Sequence, residues 1–413
     1  MCSSIFSRIS KSYEDMKYIF GLFIFWRTYL FFVAWLGERI LTFSPTFPYS
    51  DVFLLPSKLP SWIWSFANFD GVHYLTIIKQ GYSSQFTQVF FPLYPLIIRF
   101  FSGVFYWINS ILAGLIVTNA FFLMAMFVFF KLVRLDYRDK LANWSILFLL
   151  IFPTSFFFAS LYTESLFILL VFLAFYTARK KKWWLAGLFG GLASATRLAG
   201  IFLLPALLWE WQQEKLKIKN EKLKMTIKNS KLSKYYLRFL HFAFCILHSP
   251  TLYLVPLGLI VYMVYLQLTF GDWLYFWHAQ PVFGAERSGQ GIILLPQVIF
   301  RYFKILTSVT YTTEAFWVAF SEVFFTLFAI FMLAIGHKKK VRASYLIFSW
   351  LGVITPTLTG TFSSMPRYIL IAFPIYIILG MIRNDNIKSF ILILNFILMV
   401  IFTVLFTSGH WVA

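Results

Sequence analysis

The stretch NFDGVHY, residues 68–74, lies in the first polar gap after a long apolar segment, and FFPLYP follows at residues 90–95. Asp70 comes after an aromatic-rich approach and before Gly71, so we expect a partly dehydrated carboxylate on a backbone free to turn sharply. A carboxylate in that position at a membrane surface is a good base. The ordinary alternative is that Asp70 is an N-cap, accepting backbone N–H bonds at the start of a helix over residues 72–79.

The composition of the whole chain is that of a membrane protein. Of 413 residues, 60% are hydrophobic and 13% are charged, whereas charged residues make up about 25% of a soluble domain. Apolar stretches of spanning length recur from end to end, and a backbone inside lipid must satisfy its own hydrogen bonds. The sequence therefore predicts an all-α polytopic membrane protein with a single transmembrane domain over residues 1–413.

The positive charge fits membrane topology better than nucleic-acid binding. The formal net charge is +20, but the cations cluster in short loops between apolar stretches. Membrane proteins retain Lys and Arg on the cytoplasmic side, so nucleic acid is not expected as a partner. The two cysteines, Cys2 and Cys245, both fall on the expected cytoplasmic side, which predicts neither a disulfide framework nor a cysteine metal site.

The basic loops predict about eleven crossings, with the N-terminus in the cytoplasm and the C-terminus outside. The first span is too long for the core of a signal peptide, so we expect it to stay. Residues 43–89 form the first extracytoplasmic loop, and residues 90–105 form an interfacial or re-entrant piece. The expected spans are residues 18–42, 110–133, 143–158, 160–178, 183–196, 198–209, 251–270, 315–335, 344–358, 368–382 and a last helix from 388 to about 407.

Residues 210–241 differ in kind from the apolar chain around them. Nine Lys or Arg lie between Lys215 and Arg238 against one acid, Glu221, and residues 214–220 and 221–229 are an imperfect duplication. This pattern predicts a basic cytoplasmic insertion that touches anionic lipid headgroups. We expect it to have no catalytic role.

The loop charges place a mixture of carboxylates, histidines and isolated arginines together on the extracytoplasmic side. An ionisable residue held in or against a membrane span is energetically expensive, so each is a candidate for function. Together they are typical of an acid/base residue with an anion clamp. The residues are Asp70, His73, Glu164, Arg197, Asp272, His278, Arg287 and Arg367.

Each candidate also has an ordinary interpretation. Glu164 is a carboxylate that a helix dipole favours in a first turn. Arg367 is an arginine at a helix start that solvent alone could satisfy. His73 and His278 have no metal-ligand spacing and suit hydrogen-bonded wall positions. Arg197, between two short apolar helices, is harder to dismiss and predicts pairing with a buried acid.

Two further patterns favour packing over chemistry. Gly190 and Gly191 are typical of close helix packing rather than of phosphate binding. The tryptophans of the outer loops suit either sugar stacking or an interfacial aromatic belt, and the belt is the simpler interpretation. They are Trp62, Trp64, Trp273 and Trp277.

The order of several motifs resembles the PIG-V type family, the GPI mannosyltransferase II group of the GT-C superfamily of integral-membrane glycosyltransferases. The resemblance covers nearly the whole chain apart from the basic insertion, which departs from the family pattern. The motifs that carry it are FDGVHY at 69–74, FFPLYP at 90–95, the stretch from Pro153 to ESLF at 164–167, ATR at 195–197 and MPRY at 365–368.

The resemblance implies a GT-C-like bundle whose extracytoplasmic loops form the active site. It implies an inverting transfer of mannose or a similar hexose from a polyprenyl-phosphate sugar to a lipid-linked or other extracytoplasmic acceptor. Asp70 would be the general base, and Arg197 and Arg367 would bind the donor phosphate. The other expected substrate-binding residues are His73, Glu164, Asp272 and His278.

The resemblance also sets the expected surroundings of the enzyme. No cofactor is expected, with a divalent metal left open. The partners would be the lipid donor, a glycolipid or glycan acceptor, membrane lipids and an unidentified small membrane subunit. The protein would reside in the cell membrane of a prokaryote or the endoplasmic reticulum membrane of a eukaryote.

Two other functions stay open at this point. A transporter or flippase for lipid-linked sugars would use the same charges as a pathway, but its site is expected in broken helices at the membrane midplane rather than in an outer loop. A non-catalytic scaffold would tolerate substitution of Asp70, Arg197 and Arg367 together.

Overall fold

The computed structural model describes residues 2–45, 47, 50–84, 86–223, 250–283, 287–288 and 291–412. Over these residues the chain is helical and contains no strand, as the all-α prediction requires. The α-helices are α1 Cys2–Ile40, α2 Ser50–Phe53, α3 Ser61–Trp64, α4 Asp70–Gln80, α5 Leu93–Val104, α6 Ser110–Val133, α7 Asp139–Leu150, α8 Glu164–Arg179, α9 Trp183–Ser194, α10 Leu203–Leu223, α11 Leu254–Phe270, α12 Tyr275–His278, α13 Leu295–Ser308, α14 Glu314–Lys338, α15 Ala343–Thr357, α16 Met365–Tyr368, α17 Pro374–Gly380 and α18 Asp385–Thr407.

Several helices are suited to lie in lipid. In the described part of the chain, four are long and apolar enough to cross a membrane: Tyr13–Ile40 of α1, α6, α14 and α18. A fifth candidate is α11 with the segment Tyr275–Val282, bent by 82° at the break between them. An exposed stripe on α14 recurs every three or four residues, which is one face of a helix. It consists of Trp317, Phe320, Phe324, Leu327 and Phe331.

Other expected spans are shorter than a membrane is thick. Helix α7 has 12 residues and α15 has 15, which at about 1.5 Å per residue gives roughly 18 and 22 Å against about 30 Å of hydrocarbon. The span expected over residues 143–158 stops at Leu150, and a 3-10 turn, Ser155–Ala159, follows Pro153. Proline lacks the N–H that would continue the helix. The count of about eleven crossings stays a prediction.

Helix α8 lies at the centre of the fold and is buried along most of its length. It packs against α6 and α9, and Phe172 of α8 stacks on Phe129 of α6 with ring centroids 4.6 Å apart. One end of α8 is Glu164 and the other is Arg179, so its 16 residues separate these side chains by about 22 Å. The two ends carry two different polar clusters.

Helices α9 and α11 approach closely because both carry glycine where they meet. A Cβ on Gly258 would lie 2.0 Å from the carbonyl oxygen of Gly191, and a Cβ on Gly190 would lie 2.7 Å from Val255. Ser194 also donates a 2.6 Å hydrogen bond to the Val255 carbonyl. The interpretation of Gly190 and Gly191 as packing residues is confirmed.

A charged cluster lies at the Arg179 end of α8. Asp136 accepts from Arg179 at 2.6 Å and from Arg342 at 2.7 Å, and Glu210 accepts from Arg342 at 2.8 Å. Two carboxylates thus balance two guanidinium groups in a closed network that joins four segments of the chain. Glu210 opens the predicted insertion, of which residues 224–241 lie outside the described part.

Candidate active site

A second polar cluster lies at the Glu164 end of α8. Arg367 donates to Asp70 at 2.5 Å, and Arg197 donates to Glu164 at 2.5 Å. Arg367 Nε also lies 3.6 Å from Glu164 Oε1, so the two ion pairs are joined. Four residues predicted from separate parts of the sequence therefore meet at one place.

The backbone before Asp70 is strained. Phe69 has φ 57°, a conformation that non-glycine residues rarely adopt, and Asp70 is the first residue of α4. The Phe69 ring is held between Phe47, Phe406 and Trp411, with centroids 5.4–5.5 Å away. The expected sharp turn is thus made at Phe69 rather than by Gly71, which is helical. The carboxylate of Asp70 binds a guanidinium, so the N-cap interpretation does not describe its role.

The remaining three side chains of the cluster come from helix ends. Glu164 begins α8, as the first-turn interpretation expected, and is 2% exposed. Arg197 stands in extended backbone between α9 and a 3-10 helix, Leu198–Phe202. Arg367 lies in the short α16. The fold brings it beside Asp70, although the two residues are 297 positions apart in the sequence. The ends of several separate elements therefore bring these side chains to one place.

Electrostatics keep the Asp70–Arg367 pair ionised. Burial raises the pKa of the Asp70 carboxyl, but Arg367, His73 and Arg287 together lower it, and the net pKa is below its ordinary value. Burial also works against the charged guanidinium, yet Asp70 and Glu164 raise the pKa of Arg367 well above its usual value. Each charge therefore stabilises the other in a partly dehydrated place.

The cluster lines a cavity of about 260 Å³. Its charged walls are three arginines, Arg197, Arg287 and Arg367, and two carboxylates, Asp70 and Glu164. The arginines outnumber the carboxylates by one, so the cavity favours an anion. Its uncharged walls include Tyr74, Phe91, Tyr162, Trp277, Gln280, Ser363, Tyr368 and Trp411.

Two polar atoms of the cluster have unused hydrogen-bonding capacity. Within the described part of the chain, Glu164 Oε2 and Arg367 Nε are buried without a hydrogen-bond partner. Buried polar atoms are nearly always paired, so two unpaired atoms beside the cavity are unusual. The described residues contain no group of three or more His, Cys, Asp or Glu that could hold a metal ion.

Three of the expected substrate-binding residues lie outside the cavity walls. His73 follows Asp70 by one helical turn, and its ring stacks on Phe90 with centroids 5.0 Å apart. Burial lowers the pKa of His73 although Asp70 raises it. Asp272 and His278 pair with each other at 2.7 Å near the surface. The structure brings neither of that pair to the arginine cluster.

Other cavity residues were not among the expected catalytic or substrate-binding residues. Arg287 was noted on the outer face, and it donates to Gln280 at 3.3 Å. Tyr368 lies beside Arg197 and Arg367, with the two guanidinium carbons 5.5 and 5.4 Å from its ring. Of the four outer tryptophans, Trp277 lines the cavity.

An apolar groove of about 590 Å³ lies next to the cavity. It runs between α5, α9 and α11, and its walls include Leu93, Leu192, Ala195, Leu257 and Val261. The wall between the two is thin. Ala195 precedes the cavity residues Thr196 and Arg197, and its carbonyl accepts from the Leu93 N–H at 3.1 Å. A molecule with a polar head and a hydrocarbon tail could occupy both.

Comparison with protein families gives one match. A family model described as Mannosyltransferase (PIG-V) matches residues 19–272, which is more than half of the chain. The matched region contains Asp70, Glu164 and Arg197, while Arg287 and Arg367 follow it. No curated protein sequence matches the chain.

Proposed function

Because the chain belongs to the mannosyltransferase (PIG-V) family, and so is a membrane glycosyltransferase, we propose that it transfers mannose or a similar hexose from a polyprenyl-phosphate sugar. The acceptor is a hydroxyl group of a lipid-linked or other extracytoplasmic molecule. Asp70 is the general base, and Arg197 and Arg367 bind the donor phosphate. The joined ion pairs in the cavity are the observation that carries this proposal.

The charge of the cavity supports a phosphodiester donor. Its arginines exceed its carboxylates by one, and a polyprenyl-phosphate sugar carries a single negative charge. Arginine is suited to phosphate because its planar group donates two parallel hydrogen bonds. A bound donor would therefore neutralise the cavity.

The transfer then follows from the positions of the charges. Asp70 accepts the proton of the acceptor hydroxyl while its oxygen attacks the anomeric carbon. The bond from that carbon to the phosphate oxygen breaks, and the electron pair leaves with the lipid phosphate. Arg197 and Arg367 stabilise the charge that grows there. Attack and departure use opposite faces of the sugar, so the anomeric configuration inverts.

Arg367 links donor binding to the strength of the base. In the donor-free protein it lowers the pKa of Asp70, which makes the carboxylate a weak base. When the donor phosphate takes part of the guanidinium's hydrogen bonding, that influence decreases and the pKa of Asp70 rises. The base thus gains strength once the donor is in place.

The apolar groove supports a lipid donor. It adjoins the cavity across Ala195 and Leu93, and its lining is mostly hydrocarbon and aromatic, with Arg99 as a charged exception. A polyprenyl chain in this groove would leave its phosphosugar at the arginines. A nucleotide sugar has no part that would use such a groove.

The test is transfer by the purified protein with radiolabelled polyprenyl-phosphate mannose and extracted membrane lipids. We expect a new glycosidic bond of inverted configuration, identified by mass spectrometry and by glycosidase digestion. GDP-mannose serves as the competing donor. Use of the nucleotide sugar instead, or movement of intact lipid-linked sugar across vesicles without a new bond, would contradict the proposal, and the second result would favour a flippase.

A further inference from the structure

A buried carboxylate outside the cavity has a distinctive set of partners. Glu322 lies in the middle of α14, a candidate membrane span, and is 4% exposed. Asp70 and Glu164 are paired with arginines. By contrast, the partners that Glu322 has among the described residues are neutral donors, and no ion pair within 4.0 Å includes it. Burying a carboxylate costs desolvation energy, which its hydrogen bonds only partly offset. A buried acid in a membrane span is therefore a candidate for function.

The two oxygens of Glu322 bind two different segments. Oε2 accepts from the Tyr302 hydroxyl of α13 at 2.6 Å, and Oε1 accepts from the Ser364 N–H at 3.3 Å. The Tyr302 oxygen in turn accepts from the Phe362 N–H at 3.0 Å and lies 3.0 Å from Thr361 Oγ1. Glu322 and Tyr302 together therefore hold the backbone turn of residues 361–364.

This turn is the start of the arginine helix. Ser364 has φ 65°, in the left-handed region that residues with a side chain rarely adopt, and its carbonyl accepts from the Arg367 N–H at 3.0 Å. Ser363, Ser364 and Arg367 all line the cavity. A strained residue stays in such a conformation only if its surroundings hold it there. The hydrogen bond from Ser364 to Glu322 supplies part of that hold.

We propose that Glu322 is a positioning residue for the transfer reaction, which acts through Tyr302 and the 361–364 turn to place Arg367 against the donor phosphate. This inference rests on the proposed function. Glu322 does not line the cavity and touches no substrate. The turn it holds carries the phosphate-binding arginine, so its effect falls first on donor binding and reaches Asp70 only through the ion pair of Asp70 with Arg367.

The first test compares Tyr302→Phe and Glu322→Gln with Ser321→Ala as the control. Ser321 neighbours Glu322, but its hydroxyl bonds only within its own helix, to the Val318 carbonyl at 2.8 Å. Loss of the Tyr302 hydroxyl removes its bonds to Glu322 and to the turn, so we expect donor kcat/KM to fall about tenfold. The acceptor KM should not change. Glu322→Gln keeps an acceptor for the Ser364 N–H, so its donor kcat/KM should fall less than that of Glu322→Leu.

The second test is a double-mutant cycle with Arg367→Lys. If Glu322 acts through Arg367, the effects of Tyr302→Phe and Arg367→Lys on donor kcat/KM should be strongly non-additive. Ser321→Ala should combine additively with Arg367→Lys. Thermal unfolding of each purified variant separates a stability loss from a kinetic one, and Tyr302→Phe decides the matter if Glu322→Leu does not fold.

The outcomes distinguish the two claims. An active wild type whose Tyr302→Phe and Glu322→Gln variants lose only thermal stability, with donor kcat/KM unchanged per folded molecule, would overturn the positioning role and leave the proposed function standing. A folded wild type that transfers nothing from polyprenyl-phosphate mannose would overturn both.

Discussion

At the residue scale, the contact between Asp70 and Arg367 sets the protonation state of the proposed base before substrate arrives. Burial raises the pKa of Asp70, but Arg367 and its neighbours bring it below the ordinary value, so the carboxylate is ionised at neutral pH. Such a group stabilises the fold above its unfolded pKa of about 3.9, and that contribution is lost as the pH falls through the lower folded value. In the proposed mechanism, a donor phosphate competes for the same guanidinium.

We therefore predict different acid limbs for two kinetic parameters. The profile of donor kcat/KM reports the free enzyme and should fall only below about pH 4, whereas kcat reports the donor complex and should fall at a higher pH. Initial rates at limiting and saturating donor across the acid range measure both. If the two acid limbs coincide, donor binding does not weaken the effect of Arg367 on the pKa of Asp70.

The residues of the site were predictable one by one, but their pairing was not. Asp70, Glu164, Arg197 and Arg367 each interrupt an apolar sequence at a predicted outer loop, where a charge is costly. Asp70 and Arg367 are 297 residues apart, and no local pattern encodes a contact of that range. Asp272 and His278 carried the same signal, yet they satisfy each other in a surface pair. A lone acid in an apolar helix, Glu322, was a signal that sequence reasoning passed over.

At the element scale, short helices bring both the ion pairs and the groove to one place. Helix α9 ends at Ser194, which leaves Arg197 in extended backbone at the cavity wall. Its glycines bring α11 close, and α5 closes the third side of the apolar groove. The groove therefore depends on breaks in the helices as much as on the helices themselves.

Filling this groove should weaken binding of a long lipid chain. Val261→Trp places an indole among the groove residues, whereas Leu268→Trp, at an 82% exposed position of the same helix, is the control. Excluding two buried methylenes at ~0.8 kcal/mol each would raise the donor KM about tenfold. Kinetics with a long-chain and a short-chain prenyl donor measure this. Equal effects on both donors, or an equal effect of the control, would argue against a lipid in the groove.

Helix type was predictable from the sequence, whereas several helix ends were not. The long apolar stretches at 110–133 and 315–335 correspond closely to Ser110–Val133 and Glu314–Lys338. The stretch 143–158 is mostly apolar and has no charged residue, and Pro153 is its strongest signal that the helix ends. Tertiary contacts decide such ends, as when the Thr154 hydroxyl binds the Pro366 carbonyl at 2.7 Å.

At the scale of the whole molecule, the charges divide between the two ends of α8. The cavity cluster lies at Glu164, and the balanced network of Asp136, Arg179, Glu210 and Arg342 lies at the other end. The loop charges predicted this division, with the second cluster among the basic cytoplasmic loops. Membrane orientation itself is a prediction.

Thiol labelling tests that orientation. On a background with Cys2→Ser and Cys245→Ser, Tyr311→Cys lies in the expected outer loop and Lys339→Cys in an expected inner one, both at exposed positions. A membrane-impermeant maleimide should label the first in intact bacterial host cells and the second only after permeabilisation. Labelling in the reverse order would place the cavity on the cytoplasmic side.

The most direct measurement of the central claim is the rate of hexose transfer from polyprenyl-phosphate mannose by Asp70→Asn. Asparagine keeps the shape and a hydrogen bond to Arg367 but cannot take the acceptor's proton, so we predict a loss of about 10²–10⁴-fold in kcat with the folded protein still present. Asp51→Asn, which changes an exposed carboxylate of the same outer loop, should transfer at the wild-type rate. An Asp70→Asn enzyme that retained wild-type kcat would contradict the account.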